Sequence, residues 1–74
     1  MVELVGRSEL LYAEGERAVS IYVERSAVLI VHRDSIRRWE PPFHRDPVLD
    51  AKKVEIVVRV RAALDFLGEQ YLVI

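Results

Sequence analysis

The chain has 74 residues, a formal net charge of −1, 51% hydrophobic and 31% charged residues, and no cysteine. That is the composition of one small folded domain, not of a disordered chain, and it excludes disulfides, thiolate metal sites and a cysteine nucleophile. A domain this short has a thin core, so the high apolar share leads to an expected homodimer in which surplus apolar surface finds cover.

Residues 1–39 read as the β-rich part. Val2 to Val5 forms a short strand that ends at Gly6, and Glu9 to Ala13 a second that ends at the tight turn Glu14-Gly15-Glu16. Arg17 to Val23 alternates, with Val19, Ile21 and Val23 facing one way and Ala18, Ser20 and Tyr22 the other, as a half-buried strand requires. Ala27 to Arg33 is apolar on both faces at its centre, which predicts a central strand covered on both sides or a strand in a dimer contact. Asp34-Ser35 reads as a turn and Ile36 to Trp39 as a short fifth strand.

Residues 40–49 form a loop, because Glu40 and Pro41 each precede a proline and the prolines cannot donate ladder hydrogen bonds. The next segment is rich in β-branched residues, but Ile56, Val57, Val60, Ala63, Leu64 and Leu67 fall on one helical stripe. Glu55–Arg59 and Arg61–Asp65 are spaced as i,i+4 ion pairs, Asp50 is suited to cap the N-terminus, and Gly68 stands where the helix would stop. The spacing predicts a helix over 50–67, flanked by Val54 and Val58, and a terminal strand over 70–74. The expected fold is a single α+β domain over 1–74, an antiparallel sheet of about four to six short strands with one long C-terminal helix packed on one face.

Function classes narrow by elimination. His32, Asp34 and Ser35 are sequence neighbours, yet a triad is assembled in space and no G-x-S-x-G surrounds any serine. His32 and His44 are far apart and outside any metal-binding spacing, and the three glycines are too scattered to form a phosphate loop. Neither a catalytic site, a metal nor a cofactor is expected. The N-terminus lacks the basic start and clean apolar run of a signal peptide, and the longest apolar run, Ala27 to Val31, is too short to span a membrane. The lack of cysteine is compatible with a reducing cytoplasm.

What stands out is SIRRWEPPFHRDP, residues 35–47, which holds the only Trp, all three prolines and three arginines. Charge divides accordingly: residues 1–26 carry three Arg against five Glu (−2), residues 27–45 four Arg against Asp34 and Glu40 (+2), and residues 46–74 four basic against five acidic groups (−1). Arg33, Arg37, Arg38 and Arg45 surround Trp39, Phe43, His32 and His44. Such a cluster suits a protein–protein hot spot. The alternative is a small nucleic-acid-binding module using residues 33–45, ranked lower because the charge imbalance is small for phosphate binding. Trp39 is open to two roles, an anchor in the core or a contact at the surface.

Ser35, Ile36, Trp39, Glu40, Pro41 and Pro42 match an S-I-x-x-W-E-x-P motif, Glu24 follows the alternating strand, and Asp46-Pro47 precedes the helix. In these features the chain resembles a family of small bacterial immunity proteins of polymorphic toxin systems. It departs from the family's pattern in a shorter loop between Glu24 and Val28 and a more β-branched helix. The resemblance implies a non-catalytic protein that binds and neutralises a cognate toxin in the producing cell. The residues expected at that contact are Arg37, Arg38, Trp39, Glu40, Phe43, His44 and Arg45.

Overall fold

The computed structural model describes all 74 residues, Met1–Ile74. Its strands are β1 (Val2–Val5), β2 (Glu9–Glu14), β3 (Arg17–Arg25), β4 (Leu29–Val31) and β5 (Tyr71–Val73), which lie side by side in that order in one sheet. One helix, α1 (Asp50–Phe66), packs on a single face, and a 3-10 turn spans Arg33–Ser35. The α+β reading and the long C-terminal helix hold.

The pleat sorts the side chains. The pairs Leu4↔Leu10, Leu10↔Ile21 and Tyr12↔Val19 place these residues on one face, and Val23↔Val31 continues it into β4. Gly15 makes the tight turn between β2 and β3 at φ +56, a left-handed backbone that side-chain-bearing residues avoid. Onto this inner face α1 lays Ile56, Val60 and Leu64, all essentially inaccessible to water. Ile36, Trp39 and Val48, from the connection between β4 and α1, fill the rest of the same cluster. All thirteen buried residues are hydrophobic and belong to this one cluster.

The structure adjusts several expectations. The sheet is mixed: its first three pairings are antiparallel, but β5 runs parallel to β4, with Leu29↔Tyr71 and Val31↔Val73. A helix between two strands returns the chain to the end where the first strand began, which makes the second strand parallel. Residues 36–39 form no strand; only Arg38 makes an isolated bridge, to Pro47. β4 is central in the sheet but covered on one side alone, with Leu29 and Val31 buried against the helix and Ile30 half-buried on the other face.

Helix ends also differ from expectation. The N-cap position is Leu49, without a side-chain cap, and Asp50 is the first helical residue, where its charge favours the helix dipole. At the other end Gly68, at φ +74, donates its N–H to the Asp65 carbonyl, and Glu69 donates to Leu64. This is the Schellman pattern that a glycine after the last turn permits. Leu67, placed on the buried stripe by its spacing, is 58% exposed because the helix has already ended. Glu55 and Arg59 pair at 3.1 Å, whereas Asp65 accepts the Tyr71 hydroxyl at 2.9 Å in place of Arg61.

Candidate partner-binding surface

The motif segment runs along β3. Beyond Val23 the second edge of β3 is taken by β4, but its first half has no strand beside it. Residues 35–40 cover that edge. The Ser35 hydroxyl accepts the backbone N–H of Tyr22 at 2.8 Å and donates to the carbonyl of His32 at 2.6 Å. Glu40 donates its backbone N–H to the carbonyl of Ala18 at 2.7 Å. Between these two ties Ile36 and Trp39 turn into the core, at 1% and 6% exposure. An open strand edge invites pairing with another chain, and the motif residues close it with a serine, two apolar anchors and one backbone bond.

The loop that follows is tied down as well. Phe43 donates its backbone N–H to Glu40, Asp46 to Phe43, and Val48 to Arg37. The Pro41–Pro42 peptide is cis. Arg17, on β3, places its guanidinium 4.5 Å from the centre of the Phe43 ring and 5.6 Å from that of Trp39, and reaches the Asp46 carboxylate at 3.1 Å. Its position in the chain carries no sign of this role; only the fold brings Arg17 to residues 39–46. Beside it a depression of about 460 Å³ opens between the loop and the start of α1, bordered by Glu14, Asp46, Leu49 and Lys52.

The seven residues expected at a partner contact are therefore divided. Arg37, Arg38, His44 and Arg45 are exposed, whereas Trp39 is core, Phe43 is half-buried under Arg17, and Glu40 accepts the Ser20 hydroxyl at 2.6 Å. None of Arg37, Arg38 and Arg45 pairs with a carboxylate; Arg37 donates to the Asp34 carbonyl at 3.0 Å. With Trp39 buried and Phe43 capped, two of the loop's rings are withdrawn from the stacking that single-stranded nucleic acid uses.

Across the sheet lies the face without a helix. There Tyr22, 47% exposed, stacks on His32 with ring centres 4.8 Å apart, and His32 Nε2 meets the Glu24 carboxylate at 2.5 Å. Glu9 also contacts the Ser20 hydroxyl that Glu40 engages. No three His, Asp or Glu side chains converge as metal ligands would.

On the helix side a polar network clamps α1 to β2. Glu14 accepts the Tyr12 hydroxyl at 2.7 Å and the Lys52 ammonium at 3.0 Å. These donors hold the Glu14 carboxyl below its usual range, Tyr12 contributing most. Burial, followed by the Glu14 charge, pushes the Tyr12 hydroxyl above its usual range. Lys52 also bonds Glu55, which with Glu14 pushes its ammonium up.

The chain is a small two-layer α+β domain whose motif segment covers the free edge of β3 and whose sheet carries a helix on one face only. Residues 2–73 match the family model described as Immunity protein 74, and the chain belongs to that family of immunity proteins. No curated protein and no solved structure matches it. No helix is long and apolar enough to cross a membrane.

Proposed function

We propose that this protein is a non-catalytic immunity protein of a polymorphic toxin system, which protects its producer by binding a cognate toxin in the cytoplasm. The observation that carries the reading is the family match over residues 2–73. Its architecture is consistent with it: the polar motif groups are spent on the strand edge and the loop, and what remains exposed is contact surface. In this reading Arg37, Arg38, His44 and Arg45 touch the toxin, while Trp39, Glu40 and Phe43 hold the loop that presents them. A loop fixed beforehand loses little entropy on binding, which favours affinity.

The test is co-expression with the polypeptide encoded by the adjoining gene. Restored growth together with co-purification supports the proposal. A toxic neighbour that is neither neutralised nor bound refutes it.

A further inference from the structure

The uncovered face of the sheet is more than the back of the core. Its apolar positions, Val5, Leu11, Ala13, Ala18, Tyr22, Ile30 and Leu72, run across all five strands. Glu3, Glu9 and Glu24 share the face, and no Lys or Arg occupies its strand positions; Arg7 and Arg25 stand at one end, beside a depression of about 510 Å³ that Tyr22 also borders. Arg37 and Arg38 lie at the margin, on the segment that covers the edge of β3.

Tyr22 is the one tyrosine with an unused hydroxyl. Tyr12 donates to Glu14, and Tyr71 to Asp65, but Tyr22 makes no side-chain hydrogen bond within the chain. Its ring is nevertheless held in place from one side by His32, itself held by Glu24. An exposed aromatic fixed before binding, with a free polar tip, has the character of an interface hot spot.

We propose that this face, centred on Tyr22, is the centre of the toxin footprint, and that Arg37 and Arg38 form part of its rim. This rests on the immunity reading above. The occupant is a protein surface with an apolar centre and Lys or Arg groups opposite Glu3, Glu9 and Glu24. Charge favours it over a second copy, because the strand positions of this face carry three carboxylates and no Lys or Arg, so a two-fold pairing would gather like charge between the sheets.

Titration calorimetry with the adjoining gene's product tests this, using the parent, Tyr22→Ala, Tyr22→Phe, the double variant Glu9→Lys/Glu24→Lys, and Arg37→Ala/Arg38→Ala. Trp39 fluorescence reports whether each variant is folded. Tyr22→Ala is expected to weaken binding roughly 30-fold, as a central hot spot does. The double charge reversal is expected to weaken it most at low salt, and the arginine pair to cost less affinity than Tyr22→Ala. Should Tyr22→Ala fail to fold, Tyr22→Phe and the charge reversal carry the test. Parent-like affinity in the folded face variants overturns the inference while leaving the immunity reading intact. Failure of the parent to bind refutes both. Concentration-dependent self-association in light scattering that Tyr22→Ala abolishes would assign the face to a second copy and also overturn the inference.

Discussion

The hydroxyl of Ser35 stands where a neighbouring strand would be: it accepts the backbone N–H of Tyr22 at 2.8 Å and gives its own proton to the His32 carbonyl at 2.6 Å. One side chain thus caps the edge of β3 at Tyr22 and fixes the turn that leads into the motif. The backbone of Tyr22 is anchored here, directly beneath the side chain assigned to the interface.

Ser35→Ala removes both bonds and leaves the Tyr22 N–H without its partner, at an expected cost of about 1–2 kcal/mol. Urea denaturation followed by Trp39 fluorescence should show a lower midpoint with an unchanged slope. Faster hydrogen exchange at the Tyr22 amide should accompany it. An unchanged midpoint would mean that water replaces Ser35 without loss.

Arg17 holds the loop by lying over Phe43 at 4.5 Å and pairing with Asp46 at 3.1 Å. Arg17→Lys keeps the charge but loses the planar group that stacks and forks. A loss of about 0.5–1 kcal/mol is expected for this partly exposed site, with a red-shifted Trp39 emission as water reaches the indole. If the lysine variant matches the parent in both readouts, charge alone holds the loop.

Much of the fold was legible because its signals are local. Alternation from Arg17 to Val23 marked β3, and the stripe through Ile56, Val60 and Leu64 marked α1. The parallel pairing of β5 was not legible, since its direction depends on where the helix delivers the chain. Residues 36–39 were misread as a strand because they do lie along a strand edge, but they bond to it through Ser35 and Glu40 at either end. At the candidate site, the sequence marked residues 35–47 as unusual without separating anchors from contacts. That separation depends on Arg17 and on which way Trp39 turns, both set by tertiary packing. The exposure of Tyr22 was not legible because alternation assigns it a face without showing that the face stays uncovered.

Ser20 has one hydroxyl proton, yet both Glu9 and Glu40 approach its oxygen. The proton serves one carboxylate at a time. In Glu9→Gln the new amide can donate to the Ser20 oxygen while Ser20 donates to Glu40, and the repulsion between the two carboxylates is gone. The variant is expected to be more stable than the parent by about 0.5–1 kcal/mol in urea. A destabilised Glu9→Gln would show that the Glu9 charge is itself needed in the folded state.

The clamp between β2 and α1 makes stability depend on pH from both sides. Glu14 is held below its usual range in the fold, by the Tyr12 hydroxyl first and then by Lys52. A depressed carboxyl contributes stability that is present above its unfolded value and lost as pH falls towards the folded one. Tyr12 is shifted the other way, above the ordinary 10.0 of a tyrosine, by burial and then by Glu14. Its contribution is present below the unfolded value and is lost as pH rises through and beyond it. Glu14→Gln should therefore lower stability at neutral pH, flatten the acid side of the profile, and leave most of the alkaline decline, since burial of Tyr12 remains. Urea midpoints measured from acid to alkaline pH check this. An acid arm as steep in Glu14→Gln as in the parent would place the titrating group elsewhere.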